Sequence, residues 1–162
     1  MKRKTEKTYL TRLFSYSFIF LFLISCYIAP CNLDNGVDAL ITKKEHTFLV
    51  GDYVVEKIIN SKLNTENSII NIRKNGTIEM SDISTSLFDM TILERKINVK
   101  GNWKLIHAEG EYFLSLSLNF NEKDKIEDYG TSWKLYEKNG RPVFLIKFGD
   151  PDECNGVRFI KE

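Results

Sequence analysis

The stretch INVKGNWKLIHAEGEYFLSLSLNF, residues 97–120, decides the fold class of this protein. Its first part places Val99, Gly101 and Trp103 on one face and lysines and asparagines on the other. Its last part repeats the alternation through Leu114 and Leu116, with serines between them. A period of two is typical of β-strands with one buried face. Two such strands joined by the short turn at residues 107–110 predict an antiparallel hairpin.

Shorter segments on both sides of this hairpin continue the pattern. We predict further strands at residues 48–56, 68–73, 77–81, 131–137, 142–148 and 157–161. Asn-Gly pairs at residues 75–76, 139–140 and 155–156 lie between or beside these segments, and this dipeptide favours tight β-hairpin turns. About eight strands in an antiparallel meander close most simply into an up-and-down barrel, which removes exposed strand edges. A two-sheet sandwich is the alternative.

Two segments interrupt the alternation. Residues 81–95 fit either a helix or a further strand, and we expect a loop with one helical turn that leads into the long strand. Residues 121–129 (NEKDKIEDY) form a charged segment that we expect to be a solvated loop.

The N-terminal segment has the layout of a secretory signal. Basic residues concentrate in residues 1–12, and the almost wholly apolar run LFSYSFIFLFLI follows at residues 13–24. The run ends in Leu23-Ile24-Ser25-Cys26, which resembles the lipobox of bacterial lipoproteins. This resemblance implies cleavage after residue 25 and a lipid anchor on Cys26. The alternative is an uncleaved single-pass anchor over residues 13–29. Both place the body on the outer side of a membrane.

The chain divides into three parts on this interpretation: a signal peptide at residues 1–25, a polar tether at 26–46 and a β-domain at 47–162. Five basic residues and one acid precede Cys26, so the remainder has a net charge of about −3. A mildly acidic body with interspersed charges argues against nucleic-acid binding, which needs a basic surface.

The cysteines suggest one disulfide. Once Cys26 is acylated, Cys31 and Cys154 remain as a pair near the two ends of the domain. Export makes a bridge between them permissible. Two free thiols, or a bridge to another molecule, are the alternatives.

Three sequence features make the body similar to the small lipocalin-like domains of exported proteins in Bacteroidetes-type bacteria. Gly51-Asp52-Tyr53 opens the first strand where lipocalins place Gly-x-Trp, with Tyr53 in place of the family tryptophan. The segment KNGTI at residues 74–78 forms an early hairpin, and GNWKL at residues 101–105 resembles the Gly-x-Trp strand in the middle of the domain. The resemblance implies a barrel that either packs solid or holds one small apolar molecule.

If the interior is hollow, its lining is expected from the inward positions of the strands. The candidate pocket residues are Tyr53, Trp103, Leu114, Leu116, Trp133, Phe144 and Phe148.

We find no catalytic constellation. His46 and His107 are the only histidines, and we expect both to be solvated residues of the tether and of a turn. The acids of residues 149–154 (GDPDEC) are better explained by turn formation than by calcium binding, so we expect neither a metal nor a cofactor.

The sequence therefore predicts a non-enzymatic envelope lipoprotein. Its barrel would bind a small hydrophobic ligand or a protein partner. A structural, protective or inhibitory role on the outer surface is the alternative.

Overall fold

Nine strands and three short helical turns make up the part of the chain that the computed structural model describes, namely residues 32–40, 42, 44–59, 63–121, 126, 129–149 and 154–162. The helical turns are Asn32–Asp34, His46–Leu49 and Thr85–Leu87. The strands are β1 (Asp38–Ala39), β2 (Gly51–Ile58), β3 (Ile69–Ile72), β4 (Thr77–Ser84), β5 (Lys96–Ala108), β6 (Glu111–Asn119), β7 (Tyr129–Lys138), β8 (Arg141–Lys147) and β9 (Gly156–Lys161).

Strands β2 to β9 form a closed antiparallel barrel. Each pairs with the next along the chain, and β9 returns to pair with β2 from Tyr53↔Lys161 to Ile58↔Val157. The prediction of an all-β up-and-down barrel is confirmed, and closure through β2 and β9 excludes the two-sheet sandwich. Closure leaves no exposed edge between the first and the last strand of the meander.

The interior of the barrel is filled by the side chains that point inward at every second position of the strands. In β5, Ile97, Val99 and Trp103 are buried, whereas Asn98 and Lys100 are exposed, as the sequence predicted. Tyr53, Phe144 and Phe159 are fully buried and are the largest such side chains. Burial of each large apolar side chain contributes roughly 1.5–3 kcal/mol before the entropy of ordering is subtracted.

The barrel has two different ends. At the hairpin end, short turns join β3 to β4, β5 to β6 and β7 to β8; Asn139 and Gly140 have φ angles of 52° and 76°, as a type I′ turn requires. Longer connections join the remaining strands at the opposite end, which we call the mouth. The connection at residues 85–95 contains the 3-10 turn Thr85–Leu87, in agreement with the expected helical turn, whereas residues 81–84 of the predicted loop continue strand β4.

The turn His46–Leu49 packs at the hairpin end, where the sequence predicted the start of a strand. Leu49 is fully buried, and the Tyr53 hydroxyl donates to its carbonyl at 2.6 Å. Burial raises the pKa of Tyr53. Trp103 donates from Nε1 to the Arg73 carbonyl at 3.0 Å, which ties β5 to the β3–β4 hairpin.

A second apolar cluster lies on the outer wall of the barrel. Leu33 is fully buried there against Val143, Leu145 and Ile160. Strand β1 pairs with β7 (Asp38↔Glu137 and Ala39↔Tyr136) on the edge opposite to β8. The described part of the predicted tether is therefore packed into the domain, and the boundary expected at residue 47 lies inside it.

Gly156 makes this packing possible. A Cβ atom at Gly156 would lie 2.3 Å from Leu33 Cδ2. The Asn155-Gly156 pair was predicted to close a hairpin, and Gly156 does pair with Lys147 where the β8–β9 connection ends. Its missing side chain also leaves room for Leu33.

Candidate functional site

The barrel wall opens between β7 and β8. These strands pair only from Leu135↔Phe144 to Lys138↔Arg141, near their hairpin. Nearer the mouth, residues 129–134 of β7 pair with β6 and residues 145–147 of β8 pair with β9. No pairing joins these two described segments to each other, so the strands separate toward the mouth.

A cleft of about 270 Å³ occupies this separation, and we call it the side window. It runs from the barrel interior to the outer surface, since its lining combines inward and outward side chains. The inward lining is Leu87, Phe88, Tyr129, Thr131, Trp133 and Ile146, and the outward lining is Ser132, Lys134, Tyr136, Leu145 and Lys147.

The inner part of the side window is aromatic. Phe88 meets Tyr129 and Phe120 edge to face, with ring centroids 5.6 and 5.0 Å apart. Trp133 lies with its ring centroid 6.0 Å from that of Phe144 in the core. Edge-to-face aromatic pairs hold their rings in defined positions, so they form a stable apolar surface.

The outer part carries two lysines whose charges are paired. Lys134 Nζ lies 2.6 Å from Glu111 Oε1 and 5.5 Å from the centroid of the Tyr136 ring. The hydrogen bond to Glu111 raises the pKa of Lys134. Lys147 Nζ lies 2.8 Å from Asp34 Oδ2, which belongs to the N-terminal segment. The positive charges of both rim lysines are therefore balanced by neighbouring carboxylates.

The connection at residues 85–95 crosses the mouth. It leaves β4 and enters β5, and Met90 reaches Gly149 in the β8–β9 connection on the opposite side of the barrel. Leu87 is buried and Phe88 is half-buried, and both face the interior. This connection therefore covers the mouth while the side window stays open beside it.

The structure separates the predicted pocket residues into two groups. Trp133 borders the side window. The remaining six pack in the main core: Tyr53, Trp103, Leu114, Leu116 and Phe144 are buried, and Phe148 is half-buried. The end of the barrel that holds Tyr53 and Trp103 is filled by side chains.

Cys154 is disulfide-bonded. Its partner belongs to the part of the chain outside the described residues, as do both Cys26 and Cys31. The pairing of Cys31 with Cys154 and the acylation of Cys26 remain predictions.

Both histidines are exposed and lie beside an aromatic ring. The exposed His46 ring lies 4.9 Å from the Trp103 ring, and the exposed His107 ring lies 4.6 Å from Tyr112. His107 belongs to strand β5, whereas a turn was expected. Among the described residues, no three His, Cys, Asp or Glu side chains are grouped to hold a metal ion. Residues 150–153, the acids of the candidate calcium loop, lie outside the described residues.

Sequence reasoning missed Leu87 and Phe88 as lining residues, and it missed Arg158. The first two form an apolar pair inside a segment that breaks the strand alternation, which was the available signal. Arg158 is the one charged residue within the buried run Gly156–Ile160 of β9. Its 5% exposure marks a side chain that must have partners inside the protein.

Within the described ranges, no helix is long and apolar enough to cross a membrane. No family model matches the chain, and no curated protein or solved structure is significantly similar to it.

Proposed function

We propose that this protein is an exported, non-enzymatic lipoprotein whose barrel binds a small hydrophobic ligand in the side window. The observation that carries the binding proposal is the separation of β7 from β8, which leaves a cleft in the wall that the buried side chains of Trp133 and Ile146 line. The membrane address rests on the basic and apolar N-terminal segment and on the lipobox-like sequence before Cys26.

The size and lining of the side window define the ligand class. At about 270 Å³ the cleft is near the lower end of small-molecule sites. A slender apolar group, such as one end of an acyl chain or a single ring, matches this volume. Ser132 and Lys134 at the outer rim suit a polar end that stays near solvent.

The two tryptophans provide an internal test. Trp133 borders the side window, whereas Trp103 is 3% exposed in the filled half of the barrel. In the Trp103→Phe variant, Trp133 is the remaining tryptophan and reports on the side window. In the Trp133→Phe variant, Trp103 remains and serves as the matched control. We expect a medium-chain fatty acid brominated at its end to quench the fluorescence of Trp103→Phe saturably and that of Trp133→Phe only weakly.

A blocking variant sharpens the test. Thr131 is half-buried and lines the side window, so Thr131→Phe would fill it. In the Trp103→Phe background this change should abolish saturable quenching while the circular dichroism spectrum is retained. Equal quenching of both tryptophans, or unchanged quenching in Thr131→Phe, would contradict binding in the side window.

A further inference from the structure

The chain enters the barrel at the mouth end. Leu33 packs against Gly156 at the start of β9, and Asp34 pairs with Lys147 at the end of β8. Both positions border the β8–β9 connection at the mouth. Arg158 Nη1 donates to the carbonyls of Leu33 and Asn35 at 3.1 and 2.8 Å, so the entry point is held firmly.

The covalent distance from the proposed anchor to this point is short. Cys26 and Leu33 are seven positions apart in the sequence, and an extended chain covers at most about 25 Å over that length. In an anchored protein the entry point at the mouth therefore lies within about 25 Å of the lipidated residue. The hairpin end, with the turn at residues 139–140, lies at the other end of the strands.

The mouth also carries the two most exposed large hydrophobic side chains of the described chain. Leu93 is 86% exposed and Met90 is 50% exposed. Met90 Sδ would lie 2.8 Å from a Cβ atom on Gly149, so this loop reaches the same β8–β9 connection that borders the entry point.

The loop that displays these side chains is ordered. Asp89 Oδ1 accepts hydrogen bonds from the Thr91 amide at 2.8 Å and from its hydroxyl at 2.6 Å. The buried Thr85 donates from its hydroxyl to the Leu93 carbonyl at 3.2 Å and from its amide to the Arg95 carbonyl at 2.9 Å. Leu93 is thus held in solvent by a fixed backbone.

We propose that the mouth end of the barrel rests on the membrane surface, with Met90 and Leu93 inserted among the lipids at the interface. The inference rests on the proposed lipid anchor, because that anchor brings the mouth to the bilayer. Exposed apolar side chains on a fixed loop insert into the interface by burying their apolar area there.

The test uses the full chain, purified from membranes and reconstituted into phosphatidylcholine vesicles that contain brominated phosphatidylcholine. Leu93→Trp places a reporter at the mouth. Ile106→Trp is the matched control, since Ile106 is 39% exposed near the hairpin end. After subtraction of the emission of the unsubstituted chain, we expect the Leu93→Trp reporter to be quenched about twofold and the Ile106→Trp reporter to be unaffected.

Flotation of the same samples separates the two proposals. If the chain floats with the vesicles and both reporters are quenched equally, the proposed lipid anchor is supported. The proposal that the mouth end faces the membrane is then wrong. A Leu93→Trp emission that is blue-shifted but unquenched means that protein, such as a second copy of the chain, covers the loop, and this also overturns the inference. A chain that neither floats nor shows quenching contradicts both proposals.

Discussion

Arg158 donates a hydrogen bond from Nη1 to the carbonyl of Leu33 at 3.1 Å, across 125 positions of sequence. Nε of the same guanidinium lies 2.7 Å from Glu56 Oε2. Glu56 also forms a salt bridge with Lys138. One nearly buried cation therefore joins the N-terminal segment to β9 and β2. A buried charge needs such partners, because an unpaired one is strongly destabilising.

Glu56 should make stability depend on pH in the acid range. Burial raises the pKa of Glu56, but the hydrogen bond from Lys138 and the charges of Arg158 and Lys138 outweigh it and hold the pKa below its ordinary 4.5. A lowered carboxyl pKa stabilises the folded state above about pH 4.5, and this contribution is lost as the pH falls through the lowered value.

Glu56→Gln should therefore lower the free energy of unfolding by about 1 kcal/mol near neutral pH, a modest value because the carboxylate is partly solvated. Urea unfolding as a function of pH measures this. The difference from the unsubstituted chain should shrink in acid. Glu79→Gln is the control, since the Glu79–Lys100 pair is exposed and should leave stability unchanged. A constant difference at every pH would exclude a role for the Glu56 charge.

Leu33 should be a core residue of the domain even though it lies in the polar N-terminal segment. It is fully buried against β8 and β9, so Leu33→Ala removes contacts and leaves a cavity. We expect a loss of about 2–4 kcal/mol in the free energy of unfolding. Leu93→Ala is the matched control, because Leu93 is 86% exposed and its truncation should change stability by less than about 0.5 kcal/mol. Similar effects of both changes would contradict the packing of residues 32–40 on the barrel.

Two strand glycines should respond differently to alanine. A Cβ atom at Gly101 would lie 2.2 Å from the Ser117 carbonyl oxygen, and backbone cannot move aside cheaply. Gly101→Ala should therefore lower the midpoint of thermal unfolding and destabilise by about 1–3 kcal/mol. At Gly130 the nearest atom to such a Cβ is 4.0 Å away, so Gly130→Ala should be neutral or slightly stabilising. If Gly130→Ala destabilised the protein more than Gly101→Ala, the register of β5 on β6 would differ from the one described here.

The disulfide of Cys154 should involve Cys31. Leu33 packs beside Gly156, and this brings the chain that follows Cys31 close to the chain that follows Cys154. We expect the mass of the oxidised chain to rise by two hydrogens on reduction. Cys31→Ser should abolish that shift and Cys26→Ser should preserve it. The opposite pattern would place the bridge on Cys26, which is incompatible with an acylated Cys26.

The strands were predictable because their information is local. In residues 97–120 the alternation assigns each side chain to one face, and the interior positions of Val99, Trp103 and Leu114 follow without knowledge of any partner strand. The Asn139-Gly140 turn was predictable for the same reason, since both residues tolerate positive φ angles. The sequence alone therefore determined strands β2 to β9, their buried faces and their meander order, but not strand β1.

Only the tertiary structure decided which distant segments meet. Closure of β2 on β9, the separation of β7 from β8, and the packing of Leu33 under Arg158 join residues far apart in sequence. A side-chain period of two says which face of a strand is buried, but it does not say how far two strands stay paired or what covers their outer face. For this reason the sequence predicted the meander and favoured a barrel over a sandwich, whereas the side window and the packed N-terminal segment were not predictable.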